Sequence, residues 1–344
     1  MNMPKRAALV LLLVSSVSVA ALYYARRGPH AAQRGNIPEL VSLAPADTAY
    51  LFYLDLAALR ASSFLARLAA LVPSPARDPE YARFVRATGF DYTRDLDRVA
   101  FAVRPGTSAS LNVALAEGRF DRERISSYAL GSGKRERHGS AEVFLFPPGP
   151  HSKLMALAFL GPNRVALADG PDAREVLERL LVERESGQFQ PAMRERISRL
   201  ADSPAFAVGQ VGHLPENFVP GGLRSDQFSN LVRSLRWFML AARPERDRLR
   251  VWLEGECDTA ENARQLAGTL DGLRLLGQAA LADPKTRQRL EPEAARLLEA
   301  MLGGIEVSRN DLRVRLNVEL TEQMLDRLPA APTRKSSPVS TPER

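Results

Sequence analysis

Two apolar runs separated by a short polar loop occur twice in this chain. Val99-Ala100-Phe101-Ala102-Val103-Arg104-Pro105 leads to Leu111-Asn112-Val113-Ala114-Leu115-Ala116. Trp237-Phe238-Met239-Leu240-Ala241-Ala242-Arg243-Pro244 leads to Leu249-Arg250-Val251-Trp252-Leu253. Runs of this length, bounded by turn residues, read as antiparallel strand pairs. Both copies carry Arg-Pro at the loop. Both end in Glu-Gly-x-x-Asp, at Glu117–Asp121 and at Glu254–Asp258. An Asp there suits a helix N-cap, so each strand pair is expected to run straight into a helix.

Along the first half, Asp47 to Leu54 reads as a strand. Asp55 is placed to cap a helix whose face holds Phe64, Leu65, Leu68, Leu71 and Val72. A short helix over Glu80–Thr88 ends at Gly89, and the first strand pair follows. Asp121 then caps a helix of about two turns. Gly131 to Ser140 reads as a polar loop. Strands are expected at Ala141–Phe146, Leu154–Leu160 and Arg164–Ala168, the last two joined by Gly161-Pro162-Asn163. Asp172 and Glu175, at capping-box spacing, open helical sequence that continues to Leu200.

The second half restarts with Ala201-Asp202-Ser203, which echoes Ala46-Asp47-Thr48. A strand at Ala205–Val211 leads into a Pro/Gly-rich connection from His213 to Gly222, and then the second strand pair. A long helix is expected from Thr259 to Ala282, with Asp258 and Glu261 at capping-box spacing. Its buried stripe would be Leu266, Leu270, Leu273, Gly277 and Ala280. A helix over Pro292–Leu302, a strand pair around Arg309-Asn310-Asp311 and a helix from Thr321 to Leu328 complete it. Each half thus reads strand, connection, strand pair, Glu-Gly-x-x-Asp, helix, strand pair, helix. That order implies an internal duplication. The expected fold is α+β: two similar halves of antiparallel strands with helices packed on the sheets. The boundaries are 1–36 for a membrane segment and linker, 37–200 and 201–329 for the two repeats, and 330–344 for a disordered Pro/Ser/Thr-rich tail.

The amino-terminal stretch changes where such a body would sit. Residues 7–24 carry no charge. As a helix they span ~27 Å, enough for a bilayer core. Tyr23-Tyr24 and Arg26-Arg27 form an aromatic and basic boundary. The reading is an uncleaved signal anchor, single-pass in a bacterial inner membrane, with the body in the periplasm or exterior. The alternative is a signal peptide cut before Ala21, and secretion.

Charge removes one class of partner. The chain carries a net +7. Lys5, Arg6, Arg26, Arg27 and Arg34 stand in the first 36 residues with no acid. Arg334, Lys335 and Arg344 face only Glu343 in the tail. The body is left balanced, so nucleic acid is not an expected partner. Cys257 is the one cysteine, which leaves no intramolecular disulfide and no cysteine-based zinc site.

His30, His138, His151 and His213 have no metal-ligand spacing and read as exposed. Gly131-Ser132-Gly133-Lys134 lacks the first glycine and the Ser/Thr of a phosphate loop. Glu254, Glu256 and Asp258 alternate along a strand end and share a face. A cation site is weighed there against structural use, and structural use is favoured because the first copy has Arg119 where the second has Glu256. Trp237 and Trp252 read as a sheet-face pair. No catalytic, cofactor-binding or metal residue is assigned. The segment His213–Asn230 is the best candidate for a binding surface.

Four pieces of sequence carry a family resemblance: the membrane segment, Leu43-Ala44-Pro45-Ala46-Asp47-Thr48-Ala49, Gly118-Arg119-Phe120-Asp121, and Gly161-Pro162-Asn163-Arg164-Val165-Ala166-Leu167-Ala168-Asp169. With them the chain resembles bacterial exported proteins grouped as a domain of unknown function, mainly over the first half. The resemblance implies an envelope location and no catalytic residue. The expected role is a membrane-anchored, non-enzymatic protein that binds another protein or an envelope component. The alternative is a ligand-binding protein or hydrolase with a site in the cleft between the halves.

Overall fold

The structure is a computed structural model that describes residues 37–62, 79–105, 110–138, 141–147, 154–183, 189–213, 234–245, 248–288 and 292–325. The apolar segment 7–24, the helix face Phe64–Val72, most of His213–Asn230 and the tail 330–344 lie outside them. No helix among the described residues is long and apolar enough to cross a membrane.

A single twelve-stranded antiparallel sheet organises the chain. The first half supplies β1 (Tyr50–Asp55), β2 (Leu96–Arg104), β3 (Leu111–Gly118), β4 (Lys134–His138), β5 (Ala141–Phe146), β6 (Met155–Phe159) and β7 (Arg164–Asp169). The second supplies β8 (Ala205–Gln210), β9 (Leu235–Glu245), β10 (Arg248–Cys257), β11 (Glu306–Asn310) and β12 (Arg313–Thr321). The strand order is β11-β12-β10-β9-β8-β1-β2-β3-β7-β6-β5-β4. From the middle outward it reads β1-β2-β3-β7-β6 one way and β8-β9-β10-β12-β11 the other. The fold is α+β, and the two halves share one sheet.

The central pair shows how closely the halves correspond. If Ala46 and Ala201 are matched, Tyr50 falls on Ala205, Phe52 on Ala207 and Leu54 on Gly209. The register pairs Tyr50 with Gly209, Phe52 with Ala207 and Leu54 with Ala205. Exchanging the halves leaves that register unchanged. Corresponding residues also point to the same face, as period-two alternation requires: Leu51 and Tyr53 lie with Phe206 and Val208 in one buried cluster.

Helices cover both faces. On the first face lie α1 (Glu39–Ser42), α6 (Ala173–Glu183) and α7 (Pro191–Leu200). Leu40, Val176, Leu177, Met193, Ile197 and Leu200 pack there against Leu51, Ala100, Leu115 and Val208. On the second face lie α2 (Leu56–Arg60), α3 (Pro79–Thr88), α4 (Tyr92–Asp95) and α5 (Arg122–Leu130), enclosing Phe144, Phe146, Leu157 and Val165. In the second half α8 (Ala260–Ala282) packs Ala263 and Leu266 on Cys257 and Val314. It is followed by α9 (Pro284–Gln288), α10 (Pro292–Gly303) and, after β12, α11 (Glu322–Leu325).

Several expectations are corrected. The polar loop Gly131–Ser140 contains β4, an edge strand. Its sequence, Lys-Arg-Glu-Arg-His, offers no apolar alternation because an edge strand needs charge to discourage further pairing. The helical stretch to Leu200 is two helices, α6 and α7. The buried stripe of α8 stops short of Leu273, which is 53% exposed. Gly277 still packs, meeting Leu302 of α10.

The helix caps separate the two copies. Asp55 accepts from Ala58 N at 2.8 Å and Asp121 from Arg124 N at 3.0 Å, as expected. Asp258 does not cap α8. β10 runs two residues past Gly255, where β3 stops at Gly118, and Cys257 N is held by Leu312 O at 2.9 Å. The cap moves to Thr259, whose Oγ1 accepts from Asn262 N at 3.1 Å. Replacing Asp121 or Thr259 by Ala should each cost about 1 kcal/mol, and Asp258→Ala clearly less, in urea unfolding. Equal losses at Asp258 and Thr259 would contradict this assignment.

Candidate interaction surface and charge networks

The repeated carboxylate of Glu-Gly-x-x-Asp belongs to an ion network in both halves. In the first half a row of charges crosses four adjacent strands on the first face. Asp55, Arg98, Glu117 and Arg164 stand opposite one another on β1, β2, β3 and β7. Arg98 reaches Asp55 at 3.1 Å and Glu117 at 2.9 Å. Arg164 reaches Glu117 at 3.3 Å and then Glu39 of α1 at 2.7 Å. The signs alternate, so each charge sits between opposite neighbours.

In the second half Glu254 stands where Glu117 stood. It is 2% exposed. Arg199 of α7 donates to Glu254 Oε1, and Arg315 of β12 to Oε2 at 2.6 Å. Glu256, on the same face, takes a two-pronged contact from Arg196 Nη2, at 2.6 and 2.7 Å to its two oxygens. Arg313 lies 3.7 Å from Glu256. Trp237 and Trp252 are not the expected pair, since the register sets Trp237 opposite Glu256 and Trp252 opposite Ala241, but each joins the same cluster separately. The Arg196 guanidinium lies over the Trp237 ring at 4.3 Å, and that of Arg315 over Trp252 at 4.8 Å. Cation–π stacking and ion pairing thus hold the same arginines.

Burial would raise the Glu254 pKa, but the hydrogen bonds from Arg199 and Arg315 outweigh it and hold the carboxyl below the usual range. Four arginines surround Glu254, Glu256 and the more exposed Glu195, which leaves no charge for a cation to balance. Asp258, the third member, points elsewhere and pairs with Arg236 at 3.1 Å. The three carboxylates therefore do not converge, and among the described residues no group of three or more His, Cys, Asp or Glu is placed to hold a metal. Cys257 is fully buried, and burial pushes its thiol pKa up. That environment suits packing rather than nucleophilic chemistry. His138 lies in β4 and His213 ends a short 3-10 turn, Val211–His213. His30 and His151 lie outside the described residues.

What sequence reading missed is a set of exposed apolar side chains in the second half. Leu240 and Leu253 are direct partners across β9 and β10, and are 38% and 44% exposed. Leu273, Leu275 and Leu276 of α8 are 53%, 51% and 68% exposed. The signal was available: residues 275–282 contain no charged side chain. The two sheet edges, by contrast, are five-residue charged strands, β4 and β11. That composition guards an edge against strand addition.

No family model matches the chain, and no curated relative matches it. Among solved structures it is similar to crystal form I of TP0453 (10% identity, TM-score 0.41, 85% of this chain and 96% of that one). It is also similar to crystal form III of the same protein (9% identity, TM-score 0.47, 83% and 95%).

Proposed function

We propose that this chain is a membrane-anchored envelope protein with a non-enzymatic binding role. Residues 7–24 would tether it, the body would face the periplasm or exterior, and the two halves would descend from a duplication. The observation that carries the binding role is the exposure of large apolar side chains in the second half, the paired Leu240 and Leu253 on the sheet and Leu273, Leu275 and Leu276 on α8. Exposed apolar side chains of this kind are what an interaction face would use. The partner would be a protein or an envelope component, since the balanced body disfavours nucleic acid. A cleft between the halves is a weaker basis for ligand binding, since β1 and β8 are hydrogen-bonded neighbours and join the halves edge to edge.

Crosslinking in intact cells, followed by mass spectrometry, tests the reading. One stoichiometric partner should be recovered, with crosslinks bracketing β9, β10 and α8. The Leu253→Asp variant should lose it while melting within a few degrees of the parent, because Leu253 is already exposed. Recovery unchanged by Leu253→Asp and by Leu276→Asp would overturn the reading. An alkaline phosphatase fused after Arg344 should be active; an inactive fusion would overturn the orientation.

A further inference from the structure

The first half holds a second feature that the ion networks and the exposed leucines do not use. Between α3, α5 and the second face of the sheet lies a cavity of about 120 Å³, walled almost entirely by carbon. Tyr81, Phe84, Phe90, Phe120, Tyr128 and Leu157 are among its walls. Its size is close to the ~150 Å³ of an apolar cavity that stays dry and admits benzene. Phe84 and Tyr128 meet edge to face at 5.4 Å, and Tyr128 is 38% exposed, so this pair stands between the cavity and solvent.

Beside it lies an open depression of about 590 Å³ lined by Arg94, Arg119 and Arg124. Phe90 and Phe120, stacked at 5.0 Å, line both compartments, so the two adjoin at this pair. The floor of the depression is built from Gly118-Arg119-Phe120-Asp121 and Pro162-Asn163, brought together by Gly118 N donating to Asn163 O at 2.9 Å. The carboxylates present are already used. Asp95 accepts from Arg94 and Arg119, and Asp121 caps α5. Arg124 is different. Its Nη2 donates to the Arg86 carbonyl at 2.8 Å, and no carboxylate among the described residues pairs with it. Gly89, at φ +72°, leaves room for this guanidinium, because a Cβ there would lie 2.8 Å from Arg124 Nη1.

We propose that these two compartments form one site for an anionic amphiphile. The end of a hydrocarbon chain enters the carbon-walled cavity, and the negative head lies in the depression against Arg124. The chemistry is shared by a free fatty acid and by a membrane lipid with an anionic head. Charge selects the ligand at one end, and the absence of hydrogen-bonding walls selects it at the other.

Photolabelling of the full chain in its native membranes tests this. The probes are a fatty acid with a diazirine near its methyl end, the corresponding fatty alcohol, and an anionic phospholipid with the same labelled chain. The acid, the phospholipid or both should label peptides of α3, α5 and β6, and unlabelled acid should compete. Labelling by the acid assigns a free fatty acid, and labelling by the phospholipid alone assigns a membrane lipid. Arg124→Gln, a surface change, should reduce labelling about tenfold, the weight of one charge-assisted contact. Ala129→Phe, which fills the cavity from α5, should abolish it, with the melting curve confirming that the variant folds. If Ala129→Phe does not fold, Arg124→Gln decides alone. Labelling by the alcohol equal to that by the acid, labelling spread outside these peptides, or no labelling by any probe would overturn the proposal.

Discussion

Replacing Glu254 by Ala is expected to destabilise the protein by about 3–5 kcal/mol, among the largest losses available to a single substitution here. The reason is the company left behind. Arg315 would keep its place beside Trp252 with no counter-charge, and Arg199 would keep only the half-exposed Glu195 at 3.9 Å. Glu256, the remaining carboxylate of β10 on that face, is already engaged by Arg196. Glu254→Gln should recover part of the loss, because the amide oxygen still accepts one arginine hydrogen bond. Urea unfolding of the three proteins at neutral pH checks the order.

The pH dependence follows from the same contacts. The folded pKa of Glu254 is lowered relative to its ordinary value. Its contribution is therefore fully present above the unfolded pKa of ~4.3, and is lost as pH falls through the lower folded value. The gap between parent and Glu254→Gln should narrow as the pH is taken from 6 to below 4. A gap that stays constant would mean that the carboxylate's charge is not what the arginines stabilise.

The second large effect concerns the glycine of the repeated motif. Gly118→Ala should cost about 3 kcal/mol, at the upper end for one added methyl group in a packed site. A Cβ there would fall far inside van der Waals contact of the Asp95 carbonyl oxygen. That carbonyl is fixed, because Arg119 N donates to it at 2.7 Å. Gly255→Ala should cost clearly less. Its Cβ would meet Leu235 Cδ2 at 2.6 Å, the end of a flexible side chain that can rotate away. Thermal melts of the two variants separate them. Equal losses would mean that both glycines are required by backbone conformation rather than by their neighbours.

This contrast shows how the motif could be read before its neighbours were known. Glu-Gly-x-x-Asp marked a strand end followed by a helix, and both copies are built that way. The cap at Asp121 was legible because the Asp immediately precedes the helix. The cap at Thr259 was not, because the two-residue extension of β10 is set by Cys257 N pairing with Leu312 O, more than fifty residues away. The network around Glu254 was half legible. Alternation placed Glu254 and Glu256 on one face, but Arg196 and Arg199 arrive from a helix that precedes the strand by an entire hairpin. β4 was hidden because its charges report an edge rather than a core. The aromatic cavity was hidden for the opposite reason: its residues come from α3, α4, α5, five strands and the loop positions Phe90 and Phe120, none of which carries a local signature.

The self-complementary register at Phe52 and Ala207 has a consequence for any fragment of this chain. A two-fold arrangement in which the same strand pairs with its own copy is the isologous contact of a symmetric dimer. The intact chain makes that contact once, with itself, and so closes it. A fragment ending near residue 200 would keep β1 with β8 removed, leaving the row of backbone groups from Tyr50 to Leu54 unpaired. Its natural replacement is the β1 of a second fragment, in the same register and with the same residues buried. The halves separated should therefore recover each other, or themselves, as dimers. The link between them serves as a permanent supply of the second subunit.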